Sequence, residues 1–133
     1  MVGDGELRDM LENEAKKLGV IDSVIFTGVT NKPWEYYNMF DCYLFPSIYE
    51  GFGLSLLEAE VNGLFCVCSD RIPDEPIISK NVVRLPIEKN EAEWAKTCLE
   101  AVDFGRNSEQ ISNYYNINIQ AKKLEEYYEA LIK

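Results

Sequence analysis

The 133-residue sequence contains no histidine. Ser-His and Cys-His nucleophile pairs are therefore excluded within the chain, as are zinc sites that use imidazole. Positive charge is also scarce: 13 Lys and Arg stand against 23 Asp and Glu, a formal net charge of −10. A chain so charged repels nucleic acid and anionic membrane surfaces as a whole, while a small anionic ligand can still bind locally. No apolar run approaches the ~20 residues that cross a bilayer. The opening MVGDGELR has neither the basic nor the apolar region of a signal peptide, so a cytoplasmic protein is expected. Cysteine is limited to Cys42, Cys66, Cys68 and Cys98, none at zinc-ligand spacing. They read as reduced structural thiols, with Cys66 and Cys68 on one face of a strand.

What is present suits one globular domain over residues 1–133: 47% hydrophobic and 12% aromatic residues. Apolar runs alternate with helical patterns. Val2 precedes a Gly3-Asp4-Gly5 turn, and Leu7, Met10, Leu11, Ala15 and Leu18 recur at helical spacing before Gly19. Ser23 to Gly28 reads as a buried strand. Pro33 opens a short helix with Trp34, Tyr37 and Phe40 on one side. Strands are predicted at Cys42 to Phe45, Leu64 to Ser69 and Val82 to Leu85, with a helix at Leu54 to Val61. Asn90 to Glu93 has the form of a capping box, leading a helix with Trp94, Cys98 and Val102 buried and Gly105 at its end. An amphipathic helix from Gln120 to Ile132 presents Leu124, Tyr127, Tyr128 and Leu131. This alternation predicts an α/β fold, a Rossmann-like parallel sheet with helices on both faces, whose ligands sit at the C-terminal strand ends.

At one such end lies Pro46 to Glu58, PSIYEGFGLSLLE, with Glu50 and Glu58 eight positions apart around Gly51-Phe52-Gly53. Glycine permits positive φ and close approach of a ligand to the backbone. The first amides of the helix lack internal acceptors and lie at its positive end, which suits phosphate. A carboxylate repels phosphate but accepts hydrogen bonds from vicinal hydroxyls. Hydroxyl, phosphate and hydroxyl read in series describe a nucleotide sugar. Spacing and charge alone favour a tight turn and a solvated helix face, since acidic residues favour helix starts anyway.

The segment PSIYEGFGLSLLEAEVNG resembles the signature of retaining glycosyltransferases of the GT-B fold, group one or family four. Pro46, Ser47, Glu50, Gly51, Phe52, Gly53, Glu58, Ala59, Gly63 and the strand from Leu64 match its pattern. VGDGELR, VIFTGVT and AKKLEEYYEAL resemble, in order, the family's second strand-turn-helix, third strand and closing helix. The resemblance implies that Glu50 contacts donor-sugar hydroxyls at the reaction centre, as the catalytic residue, and that Glu58 binds the ribose. It implies that the backbone of Gly51, Phe52, Gly53 and Leu54 meets the sugar and diphosphate. The loop Val29, Thr30 and Asn31 would lie against the nucleobase, or would be an ordinary strand-to-helix turn. The donor is a nucleotide diphosphate sugar, and neither metal nor cofactor is expected. SDRIPDEPI, Ser69 to Ile77, resembles the version in bacterial capsule and exopolysaccharide enzymes.

The pattern departs from the family in three places. Gly63-Leu64-Phe65 replaces the usual Gly-x-Pro, and Asp70-Arg71-Ile72-Pro73 replaces a Gly-Gly pair, so that donor contact is not carried over. Nothing resembling the family's first strand, with its diphosphate-neutralising Arg and Lys, precedes Met1-Val2-Gly3, and the second strand is a stub. The resemblance therefore implies a partial C-terminal GT-B domain, inactive alone. Its sheet would either rearrange or be covered by oligomer contacts. The acceptor domain would be supplied in cis, or in trans if the chain is a stand-alone donor-binding subunit. Peripheral membrane association of a full-length protein and homo-oligomer formation stay open. A non-catalytic α/β interaction domain is the remaining alternative.

Overall fold

The computed structural model describes residues 1–106 and 115–132, with the side chain of Val102 outside the described set. The chain divides into two compact units, Met1–Met39 and Phe40–Lys133.

In the first unit, helix α1 (Arg8–Lys17) follows the glycine turn. Gly19 takes φ +70° and ends it, with Val20 N–H donating to Ala15 O at 2.9 Å. Of the apolar positions at helical spacing only Ala15 is buried. A single 3₁₀ turn (Ile21–Ser23) follows, then helix α2 (Pro33–Met39), in which Tyr37 is buried and Trp34 exposed.

The expected buried strand at Ser23 to Gly28 does not form. Its backbone joins the N-terminus through one antiparallel bridge, Gly3 to Gly28, with Gly3 N–H donating to Gly28 O at 2.9 Å. Thr27 N–H donates to Met1 O at 3.1 Å, and Ile25 is 74% exposed. A strand exists only through its pairing, and a single bridge does not make a ladder.

The second unit holds a parallel three-stranded sheet in the order β1 (Cys42–Phe45), β2 (Phe65–Ser69), β3 (Val82–Leu85). Cys42 stands opposite Phe65 and Cys66 opposite Val82, so every residue of the central β2 is buried between neighbours. Helix α3 (Leu54–Val61) connects β1 to β2 and helix α4 (Glu91–Phe104) follows β3. Alternation along the strands divides the core between them. Phe65, Val67, Trp94 and Ala101 form one cluster, with Cys42, Val83, Leu85 and Cys98 packed against it, and this is the α4 face. Tyr43, Phe45, Cys66 and Cys68 occupy the other face, where Ser55 of α3 hydrogen-bonds Tyr43. Helices thus lie on both faces, as the sequence pattern implies.

Asn90 caps α4 through its side chain, which accepts from Glu93 N–H at 3.0 Å. The Glu93 carboxylate takes Lys89 Nζ at 2.8 Å, so one half of the expected capping box is used. Gly105, at φ +66°, ends the helix. Helix α5 (Ile117–Leu131) begins three residues earlier than its apolar stripe suggests, because Asn116 accepts from Asn118 and Ile119 N–H. Its Leu124, Tyr127, Tyr128 and Leu131 stay exposed.

All four cysteines are thiols. Burial pushes Cys66 up, holds Cys68 at about 11 and raises Cys42 to about 12, so none is an activated nucleophile.

Candidate functional site

The C-terminal ends of β1 and β2 lie side by side, with Phe45 opposite Cys68. Ser69, the last residue of β2, donates its hydroxyl to Ser47 O at 2.5 Å and so ties the two strand ends together. Ser47 in turn places its own Oγ 3.0 Å from Glu50 Oε1 and 3.1 Å from Tyr49 O. The half-buried Glu50 is thereby held at the mouth of the turn by a donor three residues before it.

Gly53 is the N-cap of α3, in the left-handed region at φ +90°, ψ +48°, and no side chain caps the helix. Leu56 and Leu57 N–H both turn back to Gly53 O, at 3.0 and 3.2 Å. The amides ahead of them, at the positive end of α3, have no intrahelical acceptor. A Cβ on Gly53 would lie 3.7 Å from Ile72 Cγ2 and from Pro76 Cγ, which shows how closely the loop after β2 backs the turn. Ile72 and Pro76 are fully buried there.

Glu58 follows one turn into α3 and is exposed. Tyr43, which sequence reasoning did not single out, lies within the influence of both glutamates. Burial pushes the Tyr43 phenol up to about 12, a hydrogen bond to Ser55 opposes this, and Cys66, Glu50 and Glu58 add to the rise. Its signal in the sequence is position alone: it lies two residues before Phe45, hence on the α3 face of β1.

The second unit thus carries Glu50, Gly51, Phe52, Gly53, Leu54 and Glu58 on the turn after β1 and the first turns of α3. Val29, Thr30 and Asn31 belong to the first unit. There Thr30 Oγ1 accepts from Lys32 N–H at 3.0 Å and Lys32 pairs with Glu35 at 3.1 Å, the geometry of a turn entering α2. Among the described residues no group of three or more His, Cys, Asp and Glu side chains is arranged to hold a metal ion. None of the described helices is long and apolar enough to cross a membrane.

Residues 1–116 match the family profile described as Glycosyl transferases group 1. The chain belongs to that family. This group 1 glycosyl transferase is 34% identical over 107 residues to a Bacillus subtilis protein named "Putative glycosyltransferase EpsF", covering 80% of this chain and 28% of that one. It is 31% identical over 70 residues to a 4-alpha-N-acetylgalactosaminyltransferase of Campylobacter jejuni. That second match covers 53% of this chain and 19% of the relative. The chain therefore spans about a quarter or less of the curated relatives it matches here. Its fold superimposes on the apo form of the lipopolysaccharide outer core galactosyltransferase WaaB with a TM-score of 0.72 and 20% identity, over 93% of this chain and 38% of that one. The α/β, Rossmann-like arrangement of a GT-B C-terminal domain is thus the fold of this group 1 glycosyl transferase.

Proposed function

We propose that this chain is the donor-binding part of a retaining glycosyltransferase that takes a nucleotide diphosphate sugar. The observation that carries the reading is the uncapped start of α3, entered through left-handed Gly53 and flanked by Glu50 and Glu58. The diphosphate lies against the amides of Gly53 and Leu54, where the helix dipole and unpartnered N–H groups oppose its charge. Glu58 accepts from the ribose hydroxyls. Glu50, steadied by Ser47, accepts from hydroxyls of the transferred sugar and sits beside the anomeric centre.

Cleavage of the bond between sugar and diphosphate moves negative charge onto the departing oxygen and positive charge onto the sugar ring. Amides fixed at the first and a carboxylate fixed at the second stabilise both without rearrangement. The reading assigns the diphosphate to backbone amides and calls for no metal ion. Cationic residues and an acceptor domain, in cis or in trans, complete the enzyme, so the chain by itself is proposed to be inactive. Affinity of the isolated chain for a diphosphate is accordingly weak, given a net charge of −10.

The relatives support a role in bacterial surface-glycan assembly. The Campylobacter enzyme's name gives a diphospho-undecaprenol acceptor, and WaaB acts on lipopolysaccharide outer core. A cytoplasmic protein working at the membrane surface fits an acceptor of that kind.

Calorimetry with uridine and guanosine diphosphates on the wild type, Glu58→Ala and Glu50→Gln tests the reading. Binding that Glu58→Ala weakens about tenfold, the factor expected for hydrogen bonds to a charged group, is the expected result. Absence of binding by a longer chain that includes the acceptor domain, or equal binding without Glu58, would refute it.

A further inference from the structure

The loop between β2 and β3, residues 70–79, stands where the family's Gly-Gly pair is absent, and the structure shows what holds it. Three side chains from three other elements grip its backbone. Arg84 of β3 donates through Nη2 to Ile72 O and through Nη1 to Asp74 Oδ1 at 2.5 Å. Tyr115, just ahead of α5, donates its hydroxyl to Glu75 O at 2.7 Å. Glu60 of α3 accepts from Ile78 N–H at 3.2 Å and from the Ser79 hydroxyl at 2.7 Å. The loop so fixed carries Ile72 and Pro76 beside Gly53, each 3.7 Å from where a Cβ on that glycine would lie. Tyr115 also meets the turn directly, its ring edge-on to Phe52 with centroids 6.2 Å apart and planes at 75°.

We infer that Tyr115 and Arg84 are positioning residues for the donor site, locking the 70–79 loop as a buttress that holds the Gly51–Leu54 turn in its ligand-ready shape. This rests on the reading of that turn as a nucleotide-sugar site. The physical need is plain. A left-handed glycine entering an uncapped helix start has few bonds of its own to fix it. Amides that are to meet a diphosphate without reorganising must be fixed by their surroundings. Arg84 and Tyr115 supply this from outside the motif, one through a backbone carbonyl and a carboxylate of the loop, the other through both loop and turn.

The test uses Tyr115→Phe, which removes only the hydroxyl; Tyr115→Leu, which removes hydroxyl and ring; and the pair Arg84→Lys and Arg84→Met. Exchange of the Leu56 and Leu57 amides, which donate to Gly53 O, is read in the absence of ligand beside thermal midpoints and calorimetric affinity for uridine and guanosine diphosphates. Tyr115→Leu is expected to speed their exchange at least about fivefold, the factor of the lost hydrogen bond with the lost ring contact added, with the midpoint nearly unchanged. Tyr115→Phe falls between it and the wild type, Arg84→Lys recovers part of what Arg84→Met loses, and affinity weakens in the same order. Unchanged exchange at Leu56 and Leu57 in Tyr115→Leu overturns the inference, and so does a uniform rise across residues 42–104, which would mark a general loss of stability. If neither the wild type nor a longer chain that includes the acceptor domain binds either diphosphate, the donor-site reading falls, while ligand-free exchange still decides whether the loop buttresses the turn. Should Arg84→Met fail to fold, the two Tyr115 variants decide alone.

Discussion

Glu60 should make this chain lose stability as pH rises through the weakly acidic range, and Glu60→Gln should remove that loss. The side chain is fully buried on α3. Its Oε2 accepts the Ser79 hydroxyl and Ile78 N–H, whereas Oε1 has no hydrogen-bond partner among the described residues. Burial therefore raises the carboxyl above the usual carboxylate range, and the bonds from Ser79 and Ile78 only partly offset it. An unfolded chain loses this proton near pH 4.3, a folded one later. Between the two values the folded state binds more protons than the unfolded state. Stability is then greatest below the ordinary value and falls by up to about 1.4 kcal/mol per pH unit until the raised value is reached. Glutamine keeps an acceptor for Ser79 and Ile78 but places its amide on the unpartnered side, at a cost of about 1–3 kcal/mol. Near pH 4 the variant should thus be the less stable, and the gap should narrow as pH rises. Urea unfolding followed by Trp94 fluorescence in a Trp34→Phe background reports on the second unit alone. Parallel stability curves for the two proteins between pH 4 and 8 would show that Glu60 titrates normally, and the argument from its burial would be wrong.

Four further outcomes are expected. Gly53→Ala should destabilise by about 1–2 kcal/mol from the left-handed backbone, since the added methyl would meet only ordinary contacts. Gly51→Ala, with open space and no positive φ, should be neutral in the same denaturation assay. Trp94→Ala should cost about 3–5 kcal/mol in urea unfolding, because Trp94 fills the cluster with Phe65, Val67 and Ala101. Tyr43 should ionise near pH 12 by nuclear magnetic resonance of carbon-13-labelled tyrosine, and Glu50→Gln or Glu58→Gln should lower that value. Since the Tyr43 value is raised, its contribution to stability is complete below about pH 10 and lost as pH rises towards 12.

Much of the local structure was legible in the residues themselves. Helix α3 runs from Leu54 to Val61 as the glycines and apolar spacing require, β1 and β3 match their apolar runs, and Pro33, Gly19, Asn90 and Gly105 start or stop helices where their backbone chemistry dictates. Motif and resemblance together pointed to the family, and the match over residues 1–116 bears that out. These features are local: each depends on residues within a turn or two of one another. Ser23 to Gly28 misled because a strand is a property of a pair, and its apolar pattern carries no information about what faces it. Glu60 is not singled out by the sequence pattern, yet it is buried, with Ile78 N–H and the Ser79 hydroxyl bonded to its carboxylate. Arg84 reaches the 70–79 loop from 12 positions beyond Ile72, and Tyr115 reaches it from 40 positions beyond Glu75, separations that no local pattern records. The sequence by itself determined where helices begin, which turn carries the glycines and which carboxylates flank it. Only the tertiary structure decided which of those groups lose water and which distant side chains hold the turn in place, because burial and long-range contacts are set by packing between elements.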